Sequence, residues 1–286
     1  MDRIVKKVIV KMNNISRKVG LGLITLLLFT LFSSQTESTD VEVNNYAFKG
    51  GERITYDLYF NWKFIWKKAG TASLSTRTMN YQGRSAYLVN LLASSNGVAD
   101  KFFRMRDTLT SIVSTGLQPM YYRKAADEGH KFAIDEVRYS QSNNRVNVHM
   151  KRVKNGRVTY KTGSDSKQIY DMLSIISRVR SIDPSGLKEG SRLMFPIASG
   201  KYLTNETLVF GGRKHFKAEN GITYRCMIFT LVENRKGKNE DIITFYITDD
   251  LNHLPIRLDL NLNFGVAKAY MRSATNVRHP FTSIVQ

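Results

Sequence analysis

Two adjacent aspartates beside a histidine are the residues in this sequence best suited to acid–base chemistry. Asp249 and Asp250 follow Thr248, and His253 lies three residues further on. Paired carboxylates next to an imidazole could transfer protons or hold a hard cation through oxygen ligands. The same pattern is typical of a turn, because aspartates accept hydrogen bonds from nearby backbone N–H groups and Pro255 stiffens the start of a following strand. We favour the turn.

Two arginines, Arg178 and Arg180, lie in the last turn of a predicted helix. They could bind an anion there, or they could interact only with the negative end of the helix dipole. We favour helix capping.

An aromatic and basic stretch contains Trp62, Phe64 and Trp66 among three lysines. Aromatic rings beside lysines suit a sugar-binding platform or a membrane interface. Alternatively, the stretch is a hairpin loop whose rings fold back onto the core. Both interpretations stay open.

Motifs of common enzymes are missing from the sequence. It contains no phosphate-binding loop, dinucleotide fingerprint or His-Glu-x-x-His zinc motif, and its five histidines are dispersed. Cys226 is the only cysteine, which excludes an internal disulfide, and its place within a predicted strand favours burial over reactivity. These observations favour a protein that is not an enzyme and has no cofactor or metal.

Alternating apolar and polar residues run through most of the chain and predict the elements that position these groups. Residues 54–62 and 256–264 alternate most clearly, and Asn155–Gly156 between two further runs indicates a tight hairpin. Short strands at regular spacing predict a mainly β fold, either a large antiparallel meandering sheet or an open half-barrel.

One segment departs from this alternation. Ile169, Met172, Leu173, Ile176 and Val179 follow helical spacing. They predict one amphipathic helix at 167–180, packed on the sheet. Because this helix bisects the chain, residues 47–275 form either a single β domain or two lobes divided near it.

The N-terminus has the order typical of a secretory signal peptide. A basic region precedes the apolar Val19–Phe32 run, and a small, polar segment follows. The run is shorter than the roughly 20 residues that span a bilayer. We predict a signal peptide at 1–36, a flexible segment at 37–46 and a C-terminal tail at 276–286. The protein is then exported to the periplasm or outer envelope of a Gram-negative bacterium.

The chain is strongly basic, with a net charge of +19 that becomes +14 once residues 1–36 are removed. Such a charge favours anionic partners. In an exported protein these are anionic glycolipid, lipid or polysaccharide, rather than nucleic acid, and membrane contact is peripheral. The alternative is that the charge serves only solubility.

Several short motifs occur in an order that resembles a known family. They are Gly51–Tyr56, Lys68–Ala72, Gly116–Pro119, Tyr170–Arg180 and Tyr246–Ile256. Their order resembles the exported bacterial family called domain of unknown function 3108. The resemblance covers nearly all of residues 47–275 and implies a large antiparallel sheet similar to the YmcC-like half-barrel. It implies no activity and no catalytic residues.

Three functions are consistent with these features. The first is a non-enzymatic binding or scaffold protein for anionic glycolipid, lipid or polysaccharide. The second is a hydrolase or lyase of envelope polysaccharide that uses acids such as Asp249 and Asp250. The third is a structural subunit of an envelope assembly, with one face of the sheet as its interface.

Overall fold

Strands dominate the structure. The computed structural model describes residues 44–62, 65–101, 104–129, 131–235, 238–262 and 265–285, so the predicted signal peptide lies outside the described residues. The strands are β1 Arg53–Trp62, β2 Ile65–Tyr81, β3 Arg84–Ser95, β4 Met105–Ser114, β5 Pro119–Glu128, β6 Lys131–Ser142, β7 Arg145–Lys154, β8 Arg157–Asp165, β9 Arg192–Ala198, β10 Leu203–Lys217, β11 Thr223–Arg235, β12 Lys238–Thr248, β13 Pro255–Leu262, β14 Gly265–Thr275 and β15 Ile284–Val285. Two short helices, α1 Gly97–Asp100 and α2 Ser174–Arg180, follow β3 and β8.

The first fourteen strands form one antiparallel sheet that is nearly closed into a barrel. Each strand pairs with its neighbours in sequence, except that β8 and β9 are the two edges and β1 pairs with β14. The edge strand β8 lies close to β10, the neighbour of the other edge strand. A Cβ atom added to Gly163 of β8 would lie 2.8 Å from Leu203 Cδ2 of β10. The mainly β fold and the large antiparallel sheet are therefore confirmed.

The inside of the barrel is filled around α2. On one wall Phe229 and Phe245 pack with Val179 in one apolar cluster. On the opposite wall Val137 packs with Leu173, which is fully buried, in a second cluster. Burying one such side chain stabilises the fold by about 1.5–3 kcal/mol, so α2 and the residues before it join the two walls into one core.

The helix is shorter than the predicted helix at 167–180. It spans only Ser174–Arg180. Tyr170 instead forms a parallel bridge to Ile197 of β9. Asp171 lies just before the helix, and its Oδ1 accepts hydrogen bonds from the backbone N–H groups of Leu173 and Ser174 at 2.9 Å each. The apolar spacing reflected burial inside the barrel rather than continuous helix.

The Asn155–Gly156 hairpin between β7 and β8 is confirmed. Both turn residues have positive φ angles, 51° and 76°. Such angles match the right-handed twist of the flanking strands, which explains why this dipeptide is favoured there.

The end of the barrel nearest α2 is covered by the two ends of the domain. The Tyr46 hydroxyl donates to the Ile182 carbonyl at 2.7 Å, and His279 Nε2 lies 2.7 Å from the Tyr46 carbonyl oxygen. Asn252 Nδ2 donates to the His279 carbonyl at 2.8 Å. These bonds tie the segment before β1 and the C-terminal tail across this end.

Candidate functional site

Asp249 and Asp250 form structural contacts in the turn between β12 and β13. Asp250 is buried; its Oδ1 accepts hydrogen bonds from Asn252 N at 3.0 Å and Thr248 Oγ1 at 2.9 Å, and its Oδ2 from Ser283 Oγ at 2.7 Å. Asp249 instead forms ion pairs with Arg213 and Arg225, each at 3.3 Å. The two carboxylates are thus bound by different groups.

His253, the third member of that predicted cluster, is also part of the core. It is buried, and its Nδ1 lies 2.6 Å from the Arg180 carbonyl oxygen. Burial lowers the pKa of the imidazole below its usual value. The ring therefore joins the β12–β13 turn to the end of α2.

Arg180 forms an ion pair inside the protein. Its Nη1 and Nη2 donate to the two carboxylate oxygens of Glu52 at 2.6 and 2.9 Å. Its Nε and Nη2 also donate to the carbonyls of His253 and Asn252. The guanidinium is fully engaged by internal groups. Arg178 is only partly buried and lies over the Phe195 ring at 6.0 Å.

The described part of the aromatic stretch lies at the end of β1 and the start of β2. Trp62 pairs with Ile65, and Asn61 with Trp66, in the β1–β2 register. Phe64 lies outside the described residues. The backbone is therefore a hairpin, and its use as a sugar or membrane platform stays a prediction.

Cys226 and the acidic residues that the structure describes show none of the features of a reactive or metal-binding centre. The cysteine is buried, and burial raises the pKa of its thiol to about 12. Within the described ranges, no three His, Cys, Asp or Glu side chains come together in a way that could hold a metal ion. The part of the chain that the structure describes also contains no helix long and apolar enough to cross a membrane.

A groove on the outer face of the sheet is the strongest candidate for a binding site. Ile54 and Tyr56 of β1 face the core, so Arg53 and Thr55 face outward. The groove has a volume of about 390 Å³ and crosses β14, β1, β2, β3 and β4. Its outward-facing side chains are Arg53, Thr55, Thr71, Ser73, Leu92, Ser94, Arg106, Thr108 and Arg272. We call these residues the arginine groove.

The three arginines of the groove differ in how far they are engaged. Arg106 forms two ionic hydrogen bonds with Asp100, at 3.0 and 2.6 Å, which lower the pKa of that carboxyl group to about 2. Arg272 lies 3.4 Å from Asp57. The exposed side chain of Arg53 forms no hydrogen bond or ion pair within the part of the chain that the structure describes. The groove therefore keeps guanidinium donors free for an anion.

Hydroxyl groups occupy the space between the arginines. Thr55 Oγ1 and Ser273 Oγ are 2.7 Å apart across the β1–β14 pair. Ser73 pairs with Thr55 on the other side, and Leu92 pairs with Ser73. Leu92 is 51% exposed and gives the groove an apolar patch. Free donors, hydroxyls and a small apolar surface together can bind a sugar that carries a negative charge.

Sequence reasoning did not find the arginine groove. The alternation of β1 does place Arg53 and Thr55 on the polar face, which is a usable signal. The groove also needs Arg272 and Ser273, and the Thr55–Ser273 contact joins residues 218 positions apart. Only the pairing of β1 with β14 brings these residues together.

The comparisons with known proteins define the family. The model of the family described as "Protein of unknown function (DUF3108)" matches residues 55–272. The chain therefore belongs to this family of domain of unknown function 3108, as the motif order indicated. No curated protein matches the sequence. A solved structure described as a beta-barrel-like protein of domain of unknown function DUF1849 from Brucella abortus is similar, with a TM-score of 0.53 and 11% identity over 82% of this chain and 100% of that chain. At this identity the similarity concerns the fold alone.

Proposed function

We propose that this protein is an exported envelope protein that binds an anionic, sugar-containing ligand and does not chemically change it. The arginine groove is the observation that carries the proposal. Its free and half-engaged guanidinium groups suit phosphate or carboxylate, which accept paired hydrogen bonds from arginine. Its hydroxyls suit sugar hydroxyls.

The charge of the whole chain supports an anionic ligand. After loss of residues 1–36 the chain keeps a net charge of +14. Surplus positive charge raises the local concentration of anions and speeds their encounter with the groove. The N-terminal sequence supports an exported protein, so the ligand belongs to the envelope: a phosphorylated glycolipid headgroup or an acidic polysaccharide.

The hydrolase alternative, acting through Asp249 and Asp250, has no support from the positions of these side chains. Asp250 bonds to the chain around it, and Asp249 bonds to two arginines. The alternative of a structural subunit of an envelope assembly would use one face of the sheet as its interface, and it predicts no preference of the groove for anionic probes.

The proposal is tested by changing the two exposed arginines of the groove. Arg53→Gln/Arg272→Gln removes two charged donors, and we expect at least about ten-fold weaker binding, because one hydrogen bond to a charged group contributes about 1.5–3 kcal/mol. Arg84→Gln/Arg192→Gln removes the same charge from exposed positions outside the groove and is expected to change affinity less than about two-fold.

The probes separate the two sources of ligand. Binding to lipopolysaccharide, to soluble polygalacturonate and to neutral dextran would be measured by calorimetry near 0.15 M salt, where the Debye length is about 8 Å. Preference for either anionic probe, lost in the groove variant alone, supports the proposal and identifies the source. Equal losses in both variants, or equal binding of dextran, would overturn it.

A further inference from the structure

Seven connections between strands lie at one end of the barrel. Each joins an odd-numbered strand to the strand that follows it. Because the sheet is antiparallel, the connections β1–β2, β3–β4, β5–β6, β7–β8, β9–β10, β11–β12 and β13–β14 all lie at the same end. The other end is covered by α2, the segment before β1 and the C-terminal tail. The two ends of the barrel are therefore chemically distinct.

The strand stagger lets these connections form one rim. Tyr56 lies six residues before the end of β1. Paired residues can be followed across neighbouring strands from Tyr56 of β1 to β7. The successive partners are Ala72, Ala93, Asp107, Ala126, Ala133 and Lys154, and Lys154 is the last residue of β7. A steady shift in register from strand to strand is found where strands tilt relative to the barrel axis, and the tilt compensates for that shift along the axis. The connections therefore follow one another around this end of the barrel.

Apolar side chains project from this rim into solvent. Val98 of α1 is 66% exposed, and Phe132, near the start of β6, is 52% exposed. Val158, near the start of β8, is 44% exposed, and Tyr202, in the β9–β10 turn, is 48% exposed. They come from four different connections, so the exposed apolar surface is spread around the rim rather than gathered in one loop.

Basic residues lie between these apolar side chains. Exposed basic residues lie at these four connections and beside the neighbouring β1–β2 connection: Lys67, Lys101, Lys131, Lys154, Arg157 and Lys201. Within the described ranges, none of the six forms an ion pair with an acid. The acids of the same connections are bound by other basic groups, Asp100 by Arg106, Asp127 by Arg104 and Glu128 by Lys124. The rim therefore presents unpaired positive charge.

We propose that this rim docks the protein on the surface of an anionic lipid bilayer. Exposed apolar side chains enter the headgroup region, and flanking lysines and arginines reach lipid phosphates. A soluble polyanion would use the basic residues but gain nothing from the exposed valines and phenylalanine, so the combination favours a membrane. This interaction is separate from ligand binding in the arginine groove.

The test uses the mature chain and phosphatidylcholine vesicles with and without phosphatidylglycerol, assayed by co-sedimentation. The double variant Phe132→Ser/Val158→Ser removes two exposed apolar side chains. The triple variant Lys131→Gln/Lys154→Gln/Arg157→Gln removes three positive charges. We expect each to weaken binding to phosphatidylglycerol vesicles by about ten-fold or more. All five residues are exposed, and a matching far-UV circular dichroism melt would verify the fold.

Two controls make the outcome specific to the rim. Leu251→Ser removes a side chain that is 59% exposed in the β12–β13 turn, at the opposite end, and Arg53→Gln/Arg272→Gln changes the groove; both are expected to keep vesicle binding. Loss of binding only in the rim variants supports docking. Equal binding by rim variants and unmodified protein, or no preference for phosphatidylglycerol, would overturn it while leaving the arginine groove untouched.

Discussion

Arg180 and Glu52 face each other at the closed end of the barrel, with both carboxylate oxygens bound by terminal guanidinium nitrogens at 2.6 and 2.9 Å. Neither side chain is more than 3% exposed. Because Glu52 precedes β1 and Arg180 ends α2, the pair connects the start of the sheet to the helix inside it. The Phe48 ring lies 5.1 Å from the guanidinium.

Removal of one partner of this pair is expected to be strongly destabilising. Glu52→Gln should lower the free energy of unfolding by about 3–5 kcal/mol, because it leaves a buried charge uncompensated. Asp127→Asn breaks the exposed pair with Arg104 and should cost less than about 1 kcal/mol. Urea denaturation would compare the two; similar small losses would show that Arg180 has access to water.

Leu173 tests the position of the helical segment. The side chain is fully buried between the walls of the barrel, and Leu173→Ala should cost about 2–5 kcal/mol. Leu251→Ala, at an exposed leucine, should change stability by less than about 0.5 kcal/mol. Thermal and urea melts decide the point, and equal effects would place Leu173 outside the core.

Asp250 and Asp249 should respond differently to the same substitution. Asp250→Asn alters a buried carboxylate that accepts three hydrogen bonds, so we expect a loss of about 1–3 kcal/mol. Asp249→Asn alters a partly exposed ion pair and should cost under about 1 kcal/mol. A hydrolase role would instead be shown by an Asp250→Asn protein that keeps full stability and loses activity on an envelope polysaccharide.

Asp107 should make stability depend on pH. Burial raises its pKa to about 6, with Lys124 opposing the shift, and its Oδ1 has no hydrogen-bond partner among the described residues. In the unfolded chain the pKa is about 3.9. The folded state therefore binds the proton of the Asp107 carboxyl group more tightly than the unfolded chain does. The stabilisation of the folded state that results is greatest below pH ~4 and is lost as the pH rises through about 6.

Replacement of Asp107 should remove this pH dependence. Asp107→Asn is expected to be more stable than the unmodified protein at pH 7, by about 1–3 kcal/mol, and to show a flatter stability profile between pH 4 and 6. Asp127→Asn provides the control with the same chemical change at a less buried site. Parallel profiles for Asp107→Asn and the unmodified protein would show that the carboxylate is solvated.

The strands that could be predicted are those with one apolar and one polar face. β1, β13 and the β7–β8 hairpin alternate clearly, and the structure contains all of them. β5 and β14 gave no such signal. β5 carries Lys124 on its inward face, and β14 carries Ala267 and Ala269 there, so neither strand shows a row of large apolar residues.

The site was less accessible to sequence reasoning than the fold. Asp249 and Asp250 lie in the β12–β13 turn, where the sequence favoured placing them because the signal for a turn is local. The arginine groove instead depends on which distant strands become neighbours. Strand alternation assigns Arg53 to the polar face but gives no indication that Arg272 lies beside it, since that follows from closure of the sheet by β1 and β14.

The most direct test of the central claim is whether an anionic, sugar-containing ligand covers Leu92. This side chain lies in the arginine groove and is 51% exposed, whereas Leu251 lies outside it and is 59% exposed. Carbene footprinting of the mature protein with saturating lipopolysaccharide or polygalacturonate would measure the labelling of both. We expect labelling of Leu92 to fall while that of Leu251 is unchanged. Unchanged labelling of Leu92 under saturating ligand would contradict the assignment of the groove as the binding site.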